Sequence, residues 1–188
     1  MKDVYCCIGI PTNRLIKAKT ASSLLNLVNY SKNIDFSILT STRGYNTSEN
    51  RNYIASQVVK SGCSHLLFID DDMIFLEDTL ERLLVHDKDI IGGVYKTKYE
   101  IQEDVIEYLD DKRPSELFKV GAIGTGCLLI KTEVFKKVPQ IWFNYEWFPN
   151  GMVKMSHDWL FCHKAREYGF DVWADPTLEI KHIGLYEY

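Results

Sequence analysis

With 188 residues, 46% of them apolar and 13% aromatic, the chain can bury one substantial core and is expected to form one domain over 1–188; the composition excludes a disordered protein. A formal net charge of −4 argues against recognition of nucleic acid or anionic membrane by overall charge. No run reaches the roughly 18 apolar residues of a membrane helix, and the stretch Met1 to Ile10 is too short for a signal peptide.

The first element is the apolar run Val4 to Ile10, closed by Pro11, which reads as a buried parallel strand. A helix over Ala21 to Tyr30, with Leu24, Leu25, Leu27 and Val28 at helical spacing, and a strand over Phe36 to Thr40 complete a strand-helix-strand unit. Thr47-Ser48-Glu49-Asn50 offers a capping start for a helix whose inner face is Ile54, Ala55, Val58 and Val59 and which stops near Gly62. His65 to Ile69 follows as a strand. Next come a helix through Leu80, Leu83 and Leu84 and a core strand at Ile90 to Val94.

Residues Lys98 to Lys119 are charged and weakly periodic, so a surface loop is expected, with one helical turn around Val105 to Leu109. Val120 to Ile130 is apolar and punctuated by glycine, Thr132 to Lys137 reads as a short helix, and Ile141 to Pro149 as a loop rich in aromatics. These aromatics are equally compatible with a platform for sugar rings and with core or dimer contacts. A helix over Asp158 to Tyr168 stops at Gly169, and strands are expected at Val172 to Ala174 and Leu178 to His182. Such alternation predicts an α/β three-layer sandwich with a mostly parallel central sheet, its ligands beyond the carboxyl ends of the strands.

The strongest chemical signal lies at such an end, where His65-Leu66-Leu67-Phe68-Ile69 runs directly into Asp70-Asp71-Asp72. Three adjacent carboxylates repel one another unless a cation sits among them, and oxygen-rich sites suit Mg²⁺ or Mn²⁺, which would in turn neutralise a diphosphate. The plainer reading is a solvated acidic turn capping a helix after Met73. Asp158, after Ser156-His157, could serve as a general base or, with Ser156, as an ordinary helix cap. His182 could join carboxylates on a metal, and Gly121, Gly124 and Gly126 around Thr125 could admit a ligand close to the backbone. Five cysteines (Cys6, Cys7, Cys63, Cys127, Cys162) without C-x-x-C spacing read as buried free thiols in a reducing, cytoplasmic setting.

Taken in order, these segments resemble the GT-A glycosyltransferase superfamily, particularly the short family 2-like enzymes of phages, large viruses and bacteria. Ile8-Gly9-Ile10-Pro11-Thr12 looks like the first strand and nucleotide-contacting loop, Glu49-Asn50-Arg51-Asn52 like the helix-start Arg-Asn element, and Asp70-Asp71-Asp72 like the D-x-D motif. Gly124-Thr125-Gly126-Cys127 looks like the glycine-rich strand lining the donor pocket, and His157-Asp158-Trp159-Leu160-Phe161-Cys162 like the element bearing the base of inverting members, with His157 replacing an acidic residue. The resemblance implies donor contacts from Pro11, Thr12, Arg51, Asp70, Asp71, Thr125 and Gly126. It also implies a Mn²⁺ or Mg²⁺ ion on Asp70, Asp72 and His182, Asp158 as base, and acceptor contacts from Trp147, His157 and Trp159.

The implied reaction moves a sugar from a nucleotide diphosphate, UDP by resemblance, to a hydroxyl of a glycan, protein, lipid or modified DNA base. If configuration were retained, Asp158 would only orient sugar or acceptor. The chain is short for this superfamily, so a homodimer, a partner subunit or a further domain could complete the acceptor site. A sugar-nucleotide nucleotidyltransferase is the rival enzyme, although Pro11 to Lys17 is not glycine- and lysine-rich, and a non-catalytic carbohydrate- or nucleotide-binding domain is the rival outside enzymology.

Overall fold

A computed structural model describes residues 4–13, 15–41, 46–98 and 101–184. Residues 1–3 of the N-terminal run, residue 14 of the first loop and residues 99–100 of the charged stretch therefore lie outside it. Among the described residues, five helices and twelve strands follow one another: β1 (Tyr5–Pro11), α1 (Ala18–Tyr30), β2 (Asp35–Ser41), α2 (Thr47–Ser61), β3 (His65–Ile69), β4 (Met73–Phe75), α3 (Thr79–Val85) and β5 (Ile90–Gly93). Then follow β6 (Ile106–Tyr108), β7 (Phe118–Ile123), β8 (Cys127–Lys131), α4 (Thr132–Lys137), β9 (Glu146–Trp147), β10 (Val153–Met155), α5 (His157–Glu167), β11 (Val172–Asp175) and β12 (Ile180–His182).

Eight strands form the central sheet in the order β2-β1-β3-β8-β5-β11-β7-β6. All run the same way except β8 and β7, which lie antiparallel to both of their neighbours. The expected mostly parallel three-layer sandwich is what forms. Successive strand residues point to opposite faces, and both faces are covered, which is why the central strands read as unbroken apolar runs. Along β3, Leu66 and Phe68 join one core with residues of α2, α4 and α5, while Leu67 and Ile69 join the other with residues of α1 and α3.

Local chemistry sets the helix ends. The Asn46 side chain accepts a hydrogen bond from the Glu49 amide at 3.0 Å and caps α2, and Gly62, at φ 81°, closes it in the left-handed conformation that costs glycine little.

One expectation is corrected, and one rival reading falls. The helical turn expected at Val105 to Leu109 is instead strand β6, paired with β7; Ile106 is buried and Tyr108 stacks on Phe118. Edge pairing with an apolar neighbour outweighs the weak helical periodicity of that segment. The acidic cluster does not cap a helix, because Met73–Phe75 is strand β4, pairing antiparallel with β12. The aromatic segment divides: Trp142 and Phe143 are buried in the core, whereas Trp147 and Phe148 are exposed on the β9–β10 hairpin.

Candidate active site

The carboxyl ends of β1, β3 and β5 point to one edge of the sheet, where two adjoining clefts share Thr47, Asp70, Lys98 and His182. One, of about 200 Å³, is lined also by Pro11, Thr12, Asn13, Asn50, Asp71 and Asp72. The other, of about 410 Å³, takes in Arg51, Tyr95 and the Ser156 to Trp159 segment.

Strand β3 delivers the acidic cluster. The Asp70 amide donates to the Gly126 carbonyl at 3.0 Å, extending the β3–β8 ladder one residue past its end. Asp70 meets Arg51 at 2.6 Å; the guanidinium is almost wholly buried and lies 5.5 Å from the Phe68 ring centre. Burial pushes the Asp70 carboxyl up more strongly than Arg51 draws it down. Asp71 turns its carbonyl to the Lys17 amide at 2.9 Å.

Asp72 depends on a pairing that joins distant parts of the chain. In the β4–β12 register His182 stands opposite Met73, and the Ile183 amide donates to the Asp72 carbonyl at 2.8 Å. His182 Nε2 therefore sits 3.1 Å from Asp72 Oδ1, while Lys98 Nζ lies 3.0 Å from Oδ2. Burial alone would raise the Asp72 carboxyl, but hydrogen bonds from His182 and Lys98 hold it at about 2. It is anionic throughout the neutral range.

Among the described residues, no three His, Cys, Asp or Glu side chains gather as a metal-holding group. Asp72 and His182 form the donor pair, and Asp70 is turned to Arg51. The pair nonetheless suits a hard divalent ion. Such ions are held by one or two carboxylates together with water and substrate phosphate, an ammonium already stands on Asp72 Oδ2, and His182 Nδ1 is buried without a hydrogen-bond partner among the described residues.

The glycine-rich segment packs against Tyr95. Thr125 and Gly126 are not among the residues lining either cleft, and Tyr95 stands beside Gly124 and Gly126. The Gly126 amide donates to the Tyr95 hydroxyl at 2.9 Å, and a Cβ at Gly126 would come within 2.7 Å of that oxygen. Tyr95 also packs edge-on against His182, with ring centres 5.7 Å apart. The glycines make room for a tyrosine that seats the histidine.

At the far wall, the first turn of α5 presents Asp158. Its Oδ1 accepts from the Ser156 hydroxyl and, at 3.0 Å, from the Trp159 amide. His157 is buried, and burial, then Arg51, pushes its imidazole pKa down. His157 and Trp159 line the wider cleft; Trp147 does not and is 57% exposed on the hairpin. Behind the site, Asn52 ties α2 to the aromatic segment: its Oδ1 accepts from the Trp142 and Phe143 amides, both at 3.1 Å, and its Nδ2 donates to the Phe143 carbonyl at 2.6 Å.

Sequence reasoning missed Thr47, Asn50, Tyr95 and Lys98 as cleft residues. The last two follow β5, whose carboxyl end lies on the same edge as that of β3, a placement that marks them only once the strand order is known. All five cysteines are free and buried, and no described helix is long and apolar enough to cross a membrane.

No protein-family model and no curated protein matches the sequence. Among solved structures, the chain is similar to A197 from STIV, with a TM-score of 0.67 at 18% identity over 96% of this chain and 86% of that one. It is also similar to GalNAc-T7, solved with UDP, GalNAc and Mn²⁺, with a TM-score of 0.60 at 11% identity, spanning 96% of this chain but 44% of the other. A Bacillus anthracis protein assigned as a glucose-1-phosphate thymidylyltransferase aligns with a TM-score of 0.56 at 8% identity over 95% and 89%. This chain has the GT-A fold of glycosyltransferases, an outline it shares with a nucleotidyltransferase.

Proposed function

We propose that the protein is a metal-dependent glycosyltransferase that moves a sugar from a nucleotide diphosphate, UDP by analogy, to an acceptor hydroxyl with inversion. The observation that carries this reading is that the Asp72–His182 pair and Asp158 face linked clefts at the carboxyl edge of one sheet. Pro11, Thr12 and Asp71 would receive the nucleotide in the narrower cleft. Arg51, held against Asp70, borders the wider cleft.

A divalent cation bound on Asp72 and His182 would supply the charge that stabilises a departing diphosphate. Asp158, oriented by Ser156 and the Trp159 amide, would take the acceptor's proton as that oxygen forms its bond to the anomeric carbon and the bond to the diphosphate breaks. His157 and Trp159 would position the acceptor in the wider cleft, and Trp147 would meet a larger acceptor outside it.

Nucleotide release from a panel of UDP-, GDP- and other nucleotide sugars, with and without Mn²⁺, tests the reading without a known acceptor. One donor should turn over, and Asp72→Ala should abolish its metal-dependent release. Once an acceptor is found, Asp158→Asn should cut transfer by about 10² to 10⁴-fold. Pyrophosphate formation from a nucleoside triphosphate and a sugar phosphate would instead identify a nucleotidyltransferase, and binding without turnover would identify a non-catalytic domain.

A further inference from the structure

The two positive groups that meet the acidic cluster are built differently. Arg51 is locked: its side chain is 2% exposed, wedged between Asp70 and the Phe68 ring. Lys98 is more open: its side chain is 44% exposed, and its ammonium meets Asp72. Its backbone is anchored just upstream by the Lys96–Asp104 bridge and by the Thr97 amide, which donates to the Glu103 carbonyl at 2.9 Å. The base of the side chain is thus held at the rim while its charged end borders both clefts. A lysine ammonium is a compact point charge on a flexible stem, suited to changing partners.

Lys98 Nζ stands 3.0 Å from Asp72 Oδ2, on the carboxylate whose other oxygen meets His182. A divalent cation and this ammonium cannot both sit close to the same oxygen, since like charges a few ångströms apart repel. We propose that Lys98 is an exchangeable counter-ion: it neutralises Asp72 before loading, yields that carboxylate to the divalent cation, and then binds the diphosphate of the incoming nucleotide where the two clefts meet. Metal entry would thereby free the lysine that helps to hold the donor. This rests on the metal-dependent reading above and adds to it a residue that couples metal loading to nucleotide binding.

The signature is a pair of opposite changes in Lys98→Met. Mn²⁺ binding measured alone, by electron paramagnetic resonance of the free ion, should tighten by about 3- to 10-fold when the competing charge is removed. UDP binding at saturating Mn²⁺, measured by calorimetry, should weaken by about 5- to 50-fold when a charge-assisted contact is lost. Lys98→Arg, which keeps the charge, should stay close to the parent in both. Unchanged Mn²⁺ affinity in Lys98→Met, or Mn²⁺ and UDP affinities moving together, would overturn the exchange while leaving the metal site intact. If the parent and Asp72→Ala bind Mn²⁺ equally weakly, the metal-dependent reading itself fails, and the exchange with it.

Discussion

Asp70 and Asp72 are two residues apart, carry the same charge and leave the same strand, yet the fold treats them differently. Asp70 faces a buried guanidinium from α2, a neighbour only 19 positions away in sequence, and is part of the structure. Asp72 faces a histidine from 110 positions away and a half-exposed lysine, and lines the narrower cleft. A buried charge needs a permanent partner, whereas a charge at a cleft mouth can exchange one partner for another.

The largest effect should come from breaking the fixed pair. Arg51→Met should destabilise the fold by about 3 kcal/mol, because Asp70 is left in the cleft without its partner. Adding Asp70→Asn should restore part of that loss. Denaturant unfolding of the two variants checks both expectations, and a marginal effect of Arg51→Met would mean that the pair is not structural.

A smaller loss follows at the joint between α2 and the aromatic segment. Asn52→Ala removes the acceptor for the Trp142 and Phe143 amides, and should cost about 2 kcal/mol. It should also detach the buried aromatics from the α2 side of the site, which tryptophan fluorescence would report. Trp147→Ala marks the opposite end of the same segment and should change stability by less than about 0.5 kcal/mol, since that ring is exposed.

His157 adds a pH dependence. Its imidazole is pushed below its ordinary value, so in the folded protein it stays neutral while the unfolded chain takes up a proton near pH 6.5. The unfolded state then binds more protons. The stability contributed by this residue is present above that pH and is lost progressively as pH falls toward the lowered folded value. His157→Gln should flatten this part of the stability curve between pH 7 and 5, and an unchanged slope would assign the acid sensitivity to other groups.

The framework was legible because its signals are local. The runs at β1, β3 and β5 and the glycine stops at Gly62 and Gly169 occupy a few consecutive residues, and burial on two faces or a left-handed stop leaves a direct imprint on them. Asp70, Asp72 and Asp158 were legible for the same reason, as charges at the ends of such elements. Strand β6 was not, since an edge segment takes its order from the neighbour it pairs with. Nor was the seat of Gly126 beneath Tyr95, which nothing near either residue in sequence indicates.

By itself, then, the sequence determined the main core strands and helices and which carboxylates end them, because backbone periodicity and strand-end charge are properties of neighbouring residues. Tertiary structure alone decided which partner each carboxylate meets. The β4–β12 register brings His182 to Asp72, and the strand order carries Lys98 from a stretch read as surface loop to the mouth of the site. Contacts across a hundred residues depend on register and strand order, and neither is written in any one segment.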